Sequence, residues 1–544
     1  MNVLLTTCNA SYIHKNLALR WLYVMRPPEF FVSIKEFTIN DDSQKILEQL
    51  KQNWDVVAFS VYIWNSEIIA RLVRSISQMN PKPLIVVGGP EVTYTSQKWL
   101  DIGADIVIRG EGEEAFWQAL KGNLTFEGVC TKDHFSSNVA TADLSKLEEV
   151  ESPYFLEFDL PNLDKQYLYV ESSRGCAFEC TYCLSSIEKG LRIFSEDYMK
   201  TLIERIGNSN VKQVKFLDRT FNLFPARALS IAKAMNDLKS YVIVQFECEV
   251  TALSKELEDY FALEADKQLF RFEIGVQSFY PPTLQAVKRY QNNEQVKRII
   301  QRWSKAGLTV HADLIAGLPL ESLEQFKNSF LQLFRIQPQE IQVGILKCLP
   351  GTLLSVQAQS MKYVFQTIAP YTVMQTPWLS QNDLKDITAL ALCTDKTVNL
   401  PRAKTFWYLL DDRGFDVVTL MIECGKKIEQ LKHPYQLNDI IDCVTDIGIK
   451  CLNSKEVEAA IMTDVARLSK VTPQRWFEFN ISDEVRQIIL HHASVASGVS
   501  YDVLRRKGWM HYAIRNDALC VQCWLYTPQY YGNYGYYSLE GEPL

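Results

Sequence analysis

The chain of 544 residues contains no uninterrupted apolar run long enough to cross a bilayer, so a membrane-spanning protein is not expected. Its start, MNVLLTTCNA, has no basic lead and no cleavage-like site, and it predicts a buried strand instead of a signal peptide. Basic residues are not in excess. The formal net charge of −7 gives no support to broad nucleic-acid binding, although a local basic patch would still be compatible with it. We therefore expect a cytoplasmic protein that does not depend on nucleic acid.

The composition is that of a globular enzyme, with 47% apolar and 22% charged residues. The length is too great for one hydrophobic core and suggests about three or four domains. The thirteen cysteines are expected to be reduced in the cytoplasm, which makes them core residues, metal ligands or nucleophiles.

One short segment, ESSRGCAFECTYCLSS, carries Cys176, Cys180 and Cys183 in the pattern C-x3-C-x2-C. At this cysteine content the pattern should arise roughly 0.007 times by chance, whereas a C-x2-C pair such as Cys520 and Cys523 should arise roughly 0.3 times. Structural zinc sites normally need four protein ligands, so three thiolates fit a [4Fe–4S] cluster better. Such a cluster would keep one iron open to a substrate or cofactor.

Candidate strands recur around this loop with helix-period segments between them, which predicts a parallel sheet of six strands curved into a partial barrel. These strands are Tyr167–Ser172, Val214–Leu217, Val242–Phe246, Phe270–Gln277, Thr309–Ile315 and Glu340–Leu346. Chemistry in such barrels gathers where the strands end, so a site is expected at that edge.

The first ~130 residues form a second α/β unit of ordinary domain size. Its candidate strands are Val3–Thr7, Val32–Phe37, Val56–Val61, Leu84–Gly88 and Asp105–Ile108. The amphipathic segment Asn65–Met79 predicts a helix, with Asn65 or Ser66 as its cap. This alternation predicts a doubly wound, flavodoxin-like sheet that binds a ligand beyond the carboxyl ends of its strands. G-x-G-x-x-G is absent after the first strand, which disfavours a dinucleotide site.

The cysteine loop, with Tyr182 before its last cysteine, resembles the radical S-adenosylmethionine (SAM) superfamily. That resemblance implies cluster ligation by the three cysteines. It implies contact of Tyr182 with adenine. The stretches FLDRTFN, ECEV, FEIGVQS and DLIAGLP are similar to later motifs of the family. They imply further SAM contacts, which are Asp218, Glu249, Glu273, Gln277, Ser278 and Gly317.

The doubly wound unit followed by such a barrel resembles cobalamin-binding radical SAM enzymes. The loops VGGPEVT and RGEGEEAF are similar to that family's cobalamin loops, and TTCNASYIHKN and SVYIWNS lie at the same expected edge. The implied cobalamin-binding residues are Ser11, His14, Ser60, Tyr62, Gly88, Gly89, Glu91, Gly110 and Glu111. The family's D-x-H-x-x-G motif is absent, so His14 has the wrong spacing for a cobalt ligand, and a loop role is favoured for it.

The predicted organisation is a cobalamin-binding Rossmann-like domain over 1–130, a linker over 131–160, a radical SAM partial barrel over 161–358 and a mainly helical extension over 359–544. Helical segments are expected at Asn382–Leu392, Arg413–Gln430 and Ile481–His492. The tyrosine-rich end is expected to be a packed or loosely ordered tail, or alternatively part of a substrate lid.

The resemblance implies reductive cleavage of SAM to a 5′-deoxyadenosyl radical, hydrogen abstraction from an unactivated carbon and methyl transfer from methylcobalamin. It also implies a flavodoxin or ferredoxin-type electron donor; the substrate, a small molecule or a peptide, stays open, and no acid–base pair is assigned. Three alternatives remain, namely a rearrangement, cyclisation or ring contraction with the same cofactors, a methylthiotransferase-like tRNA enzyme, and a cobalamin- or redox-sensing protein. The tRNA enzymes need three more cluster cysteines, but only Cys8 and Cys130 precede the barrel.

Overall fold

The computed structural model describes residues 1–187, 190–468, 482–515, 518–527, 530–538 and 541–543. The chain divides into two compact units. The first consists of Met1–His311, Gly317–Glu321 and Leu346–Trp378, and the second of Ala312–Ala316, Ser322–Ile345 and the described part of Leu379–Leu544. None of the described helices has the length and apolar character needed to cross a membrane.

The N-terminal sheet confirms the predicted doubly wound unit. Its strands are β1 (Asn2–Asn9), β2 (Phe31–Thr38), β3 (Val56–Ser60), β4 (Leu84–Gly88), β5 (Ile106–Ile108) and β6 (Val129–Cys130), in the order β2-β1-β3-β4-β5-β6. All neighbours are parallel except β5 and β6. The helices are α1 (Leu17–Val24), α2 (Ser43–Leu50), α3 (Ser66–Ser77), α4 (Pro90–Thr93), α5 (Ser96–Ile102) and α6 (Gly112–Leu120).

The buried strand β3 shows why this sheet carries helices on both faces. Val57 and Phe59 belong to one hydrophobic cluster, and Val56 and Ala58 belong to another. Successive side chains of a strand point to opposite faces, so each face needs its own apolar cover. The carboxyl ends of the strands are thereby fixed as one edge, on which the loops of interest lie.

Helix α3 begins after Asn65, one of the two residues predicted as its cap. Asn65 occupies the N-cap position, but its side chain makes no capping hydrogen bond. Its Oδ1 instead accepts from the backbone N–H of Tyr62 at 2.7 Å, and its Nδ2 donates to the carbonyl of Cys8 at 3.0 Å and to Thr7 Oγ1 at 3.1 Å. The amide therefore ties the ends of β1 and β3 together at the edge of the sheet.

The second set of strands follows the predicted β/α alternation. It comprises β7 (Leu168–Val170), the hairpin β8 (Ser173–Cys176) and β9 (Gly190–Ile193), and then β10 (Gln213–Phe216), β11 (Ile243–Cys248), β12 (Phe270–Gln277), β13 (Thr309–Ala316) and β14 (Glu340–Ile345). Within the first unit, β7, β10, β11 and β12 pair in parallel in that order. The accompanying helices are α7 (Leu144–Glu148), α8 (Glu196–Gly207), α9 (Pro225–Asn236), α10 (Lys255–Asp259), α11 (Pro281–Ala286), α12 (Asn293–Lys305) and α13 (Leu323–Arg335).

Strand β12 has one apolar face and one polar face. Its buried residues are Phe270, Phe272, Ile274 and Val276, whose rings and branches form one side. Phe272 packs against Trp303 of α12 with ring centroids 4.3 Å apart. The alternate positions are half-buried and are Arg271, Glu273, Gly275 and Gln277. The polar face thus looks away from the helices, which is the face a barrel presents to its interior.

The remaining elements complete the two units. They are α14 (Leu353–Gln357), β15 (Val364–Phe365), β16 (Val373–Gln375), α15 (Gln381–Cys393), α16 (Lys404–Asp412), α17 (Val417–Glu429), α18 (Leu437–Gly448), α19 (Ser454–Leu468), α20 (Asp483–Ser497), α21 (Tyr501–Lys507), β17 (Gly508–Arg515), β18 (Ala518–Thr527) and β19 (Tyr530–Tyr537). Short 3-10 or π segments occur at Glu157–Asn162, Leu184–Ser186, Phe221–Leu223, Val250–Ala252, Tyr260–Glu264 and Thr394–Asn399.

The extension is mainly helical as predicted, but the expectation for its end is wrong. The tyrosine-rich residues form an antiparallel sheet in the order β17-β18-β19 instead of a tail. Aromatic and β-branched side chains favour strands, because they pack well on a pleated surface. Cys523 is buried within β18, whereas the side chain of Cys520 lies outside the described residues.

Candidate functional site

The cysteine loop begins where β8 ends, at Cys176, and turns back toward β9. Cys183 N–H donates to the Cys180 carbonyl at 3.1 Å. The Ser186 hydroxyl donates to the carbonyls of both Cys180 and Cys183, at 2.9 and 2.7 Å. These contacts shape the turn through two carbonyls, a backbone N–H and a serine hydroxyl, and none of them uses a thiol.

Gly175 shows that the loop is built on a close backbone approach. Its φ is +90°, and a Cβ at this position would lie 2.2 Å from the carbonyl oxygen of Gly190 in β9. Any other residue would be strained and would push the hairpin apart. The sequence interpretation of this glycine as a requirement for a small loop therefore has a specific physical basis.

Asp218 holds the residues that precede the cysteine loop. Its carboxylate is 1% exposed and accepts from the backbone N–H of Ser172 at 2.9 Å, from the Ser172 hydroxyl at 2.6 Å and from the Ser173 hydroxyl at 2.5 Å. Burial raises the pKa of Asp218, and these hydrogen bonds oppose the shift. The geometry thus shows Asp218 positioning the segment before Cys176, and its contact with SAM stays a prediction.

Arg289 is a largely buried cation beside the cysteine loop, and the sequence did not predict it. Its Nη2 donates to Glu249 Oε2 at 2.5 Å and also to the Gly275 carbonyl. Burial raises the pKa of the Cys180 thiol, and the charge of Arg289 opposes that shift. Burial and Cys180 raise the pKa of the Tyr182 hydroxyl. Glu249 is therefore partnered by a cation next to the cysteine loop, and no short motif marks this arginine in the sequence.

Of the other predicted SAM residues, Glu273 lies within β12, whereas Gln277, Ser278 and Gly317 lie at or just beyond the ends of strands. Gln277 has a φ of +65°, and its Oε1 is buried without a hydrogen-bond donor among the described residues. Glu273 accepts from Gln245 Nε2 at 3.1 Å. Ser278 is fully buried and donates to Glu321. Gly317, with a φ of +97°, receives the Tyr363 hydroxyl on its carbonyl at 3.0 Å.

The glycines of the loops after β4 and β5, which are VGGPEVT and RGEGEEAF, allow the backbone to pack closely within the protein. Gly89 has a φ of +107°, and a Cβ there would lie 2.6 Å from the Val61 carbonyl oxygen. Gly110 has a φ of +83°, and a Cβ would lie 2.4 Å from the Ala140 carbonyl oxygen. Gly88 has ordinary contacts, with the nearest neighbour of its Cβ at 3.7 Å. Two of the three glycines are therefore required by backbone contacts of the loops themselves.

Glu91 and Glu111 are occupied by protein partners. Glu91 is 6% exposed and accepts hydrogen bonds from Ser66 Oγ at 3.1 Å and from the Tyr371 hydroxyl. Burial raises the pKa of Glu91. Glu111 pairs with Arg192, and accepts the backbone N–H of Ala142 at 2.7 Å. Burial would raise the pKa of Glu111, but these donors and the charge of Arg174 hold it below its usual value. The roles of both carboxylates on cobalamin stay predictions.

Arg174, in β8, joins Glu111 and Glu113, which follow β5, to the strand that ends at Cys176. Its guanidinium lies 3.2 Å from Glu111, 2.8 Å from Glu113 and 2.8 Å from Glu171, and its side chain is 8% exposed. A buried cation of this kind needs several anionic partners to offset its lost hydration. The B12-side loop after β5 is thereby held against the strand that ends at Cys176.

The loop after β1 carries polar side chains that hydrogen-bond to the end of β3, to the loop after it and to β7. His14 Nδ1 lies 2.5 Å from the Tyr169 hydroxyl, and its ring stacks on that tyrosine at 6.1 Å. Burial and the charge of Lys215 lower the pKa of His14. Asn16 Nδ2 donates to Ser60 Oγ at 3.3 Å and to the Tyr62 hydroxyl at 3.2 Å. Ser11 is half-buried, and its carbonyl accepts the His14 N–H at 3.2 Å. The loop role expected for His14 agrees with these contacts.

Comparisons with known families separate the chain into two recognised domains. The family model of the radical SAM superfamily matches residues 170–333, and the model of the B12 binding domain matches residues 7–120. The chain therefore contains both a B12-binding domain and a radical SAM domain.

Two curated relatives are distant in sequence, and both are named as methyltransferases. The chain is 24% identical to 2-(S-pantetheinyl)-carbapenam-3-carboxylate methyltransferase of Streptantibioticus cattleyicolor over 61% of this chain and 53% of the relative. It is 23% identical to the cobalamin-dependent radical SAM methyltransferase TokK of Streptomyces tokunonensis over 59% and 51%. The chain thus spans about half the length of these curated relatives.

Solved structures show the same fold. The cobalamin-dependent SAM radical enzyme OxsB with aqua-cobalamin and SAM bound has a TM-score of 0.62 at 15% identity, covering 88% of this chain and 83% of that one. TsrM from Kitasatospora setae, with cobalamin and a [4Fe–4S] cluster bound, has a TM-score of 0.52 at 16% identity, covering 70% and 82%.

The residues present fit the cofactors that the two domains imply, which are a [4Fe–4S] cluster, SAM and cobalamin. Three cysteines lie on one glycine-dependent loop, and the buried Oε1 of Gln277 and Oγ1 of Thr181 have no hydrogen-bond partner in the described part of the chain. Within that part, no three His, Cys, Asp or Glu side chains converge closely enough to hold a single metal ion. A cluster does not require such convergence, because each thiolate binds a different iron.

Proposed function

We propose that this protein is a cobalamin-dependent radical SAM enzyme that transfers a methyl group to an unactivated carbon of its substrate. The observation that carries the proposal is the C-x3-C-x2-C loop, held by Arg174 and Glu111 against a B12-binding domain in the same compact unit. The two relatives named as methyltransferases support methyl transfer as the reaction.

The chain's own residues have defined tasks in this proposal. The cofactors, when bound, supply reductive cleavage of the sulfonium of SAM and a methyl group carried on cobalt. Cys176, Cys180 and Cys183 would hold three irons and leave the fourth to SAM. Gln277 Oε1 would accept a hydrogen bond from a polar group of SAM, because the described residues give it no donor.

The protein also has to keep the reacting groups in place. Asp218 fixes Ser172 and Ser173 ahead of the cysteines, and Arg289 fixes Glu249 beside them. Positioning of this kind lowers a barrier without any acid–base group, since the groups no longer have to be ordered during the reaction. We propose that a flavodoxin or ferredoxin-type donor in the cytoplasm supplies the electron.

A methylthiotransferase reaction is less well supported. Some relatives of that class match about a third of the chain, such as a probable threonylcarbamoyladenosine tRNA methylthiotransferase of Pyrococcus abyssi at 23% identity over 36% of this chain. The two cysteines that precede the loop, Cys8 and Cys130, are 1% and 0% exposed within one hydrophobic core cluster. Neither thiol is placed to bind a second cluster.

The test is anaerobic incubation of the reconstituted, cobalamin-loaded protein with reductant, a cell extract and SAM labelled in its methyl group. We expect 5′-deoxyadenosine and a product that gains one labelled methyl group, detected by mass spectrometry. A product of unchanged composition would indicate rearrangement, cyclisation or ring contraction. Cofactor binding without any 5′-deoxyadenosine would contradict the enzyme proposal and indicate a sensor.

A further inference from the structure

A cleft of about 530 Å³ lies beside the loop that follows β4, and no residue proposed to bind a cofactor lines it. Its volume falls in the range of small-molecule sites. All of its lining residues belong to the first unit. They are Thr93, Tyr94, Thr95, Ser96, Gln97, Lys98, Arg109, Phe135, Cys348, Pro350, Ser355, Phe365, Thr367 and Tyr371.

Two cations line this cleft without a carboxylate at ion-pair distance among the described residues. Arg109 donates from Nε to the Thr93 carbonyl at 2.9 Å and from Nη1 to the Ser136 carbonyl, and it also hydrogen-bonds the Cys130 thiol. Lys98, half-buried on α5, makes no hydrogen bond or ion pair within the described chain. The carboxyl that influences it, Glu91, is bonded to Tyr371 and Ser66 instead. Positive charge is therefore in excess in this cleft, although the whole chain is acidic.

The walls of the cleft are aromatic and held in place. The Tyr94 ring packs against Gly351, where a Cβ would come within 2.3 Å of it, so only glycine allows this contact. The guanidinium of Arg109 lies 5.2 Å from the centre of the Phe135 ring. Phe365 of β15 contributes another half-buried ring. A flat apolar group would find contact surface between such rings.

We infer that this cleft binds an anionic small molecule, a carboxylate or a phosphate ester, whose remaining part is planar and apolar. The anion binds to Lys98 and Arg109, and the planar part packs on Tyr94, Phe135 and Phe365. The Thr367 hydroxyl, which also lines the cleft, adds a hydrogen bond. The inference stands on the cleft alone and does not require the proposed methyl transfer.

The test uses 1-naphthyl phosphate, 1-naphthoate and neutral 1-naphthol as probes of one ring system. Binding to the cluster-reconstituted, cobalamin-loaded protein is followed by naphthyl fluorescence at low ionic strength. We expect the anions to bind at least about tenfold more tightly than 1-naphthol, and the difference to shrink in salt. The stronger of the two anions identifies the natural group as phosphate or carboxylate.

Variants locate the binding. Lys98→Gln should weaken the anions about tenfold and leave 1-naphthol unchanged, whereas the exposed Lys51→Gln should change nothing. Ser355→Trp, which fills the cleft, should abolish binding of all three probes. Equal affinity for anions and naphthol, unchanged binding in Lys98→Gln, or unchanged binding in Ser355→Trp would each overturn the inference. So would binding that occurs only when cobalamin is absent.

Discussion

The thiols of the cysteine loop and the carboxylates of the B12-side loops differ in how completely the protein satisfies them. Cys176 has a weak contact at 3.8 Å to Thr220, and the loop's hydrogen bonds run through carbonyls and a serine. Glu111, by contrast, is bound by two arginines and a backbone N–H. The difference teaches that a carboxylate bound on several sides by the protein serves the structure, whereas a thiol such as that of Cys176, with one weak contact, is left to bind a ligand.

The largest effect is expected at the cysteine loop. Cys176→Ala should lose nearly all of the about four irons per chain that one cysteine-bound cube requires, because two thiolates do not hold the cluster. Iron and sulfide analysis after anaerobic purification measures this. Cys451→Ala is the matched control, since that half-buried cysteine lies in the second unit and should keep full iron. Full iron in Cys176→Ala would contradict the comparison, because the Cys176 thiol would then not be a cluster ligand.

A smaller effect is expected at the satisfied carboxylates through their shared cation. Arg174→Met leaves Glu111, Glu113 and Glu171 without their buried partner and should lower the free energy of unfolding by about 3–5 kcal/mol. Urea denaturation measures this. Lys427→Met, which removes a solvent-exposed pair with Asp446, should cost about 1 kcal/mol or less. Equal effects of the two changes would mean that Arg174 does not hold Glu111 and Glu113 as described.

The smallest effect sharpens the contrast between Glu91 and Glu111. The raised pKa of Glu91 means that its contribution to stability is full below its unfolded pKa and is lost as pH rises through the folded value. Glu91→Gln should therefore gain stability relative to wild type as the pH rises.

Glu111 should behave in the opposite way. Its lowered pKa means that its contribution is present above the unfolded pKa and is lost as pH falls through the folded value. Glu111→Gln should therefore flatten the loss of stability on the acid side. Unfolding midpoints between pH 4 and 8 test both variants, and parallel curves for the two would contradict the assigned environments.

Much of the fold follows from local sequence. β4 and β12 have the predicted bounds, Leu84–Gly88 and Phe270–Gln277, because each is a short hydrophobic or alternating run between turn residues. The cysteine loop is equally local. Arg289, Arg174 and the Arg20–Asp159 ion pair are not, since their partners lie up to 139 residues away in sequence. No local pattern shows that Glu111 will meet Arg174; its role on cobalamin was predicted from the resemblance of RGEGEEAF to cobalamin loops.

The end of the chain was predicted less well for another reason. Tyrosine and glycine at Tyr530–Tyr537 suit both an irregular tail and a strand, and only pairing with β18 selects the strand. Strand propensity depends on neighbours across the sheet, which a single segment does not reveal.

The central claim is that the cysteine loop holds a cluster with one iron open to SAM. Electron paramagnetic resonance of the anaerobically reduced protein, recorded with and without SAM, tests it most directly. We predict the signal of a reduced [4Fe–4S] cluster, altered on addition of SAM and absent in Cys176→Ala. A protein that contains only zinc, or a cluster signal that SAM leaves unchanged, would contradict the account.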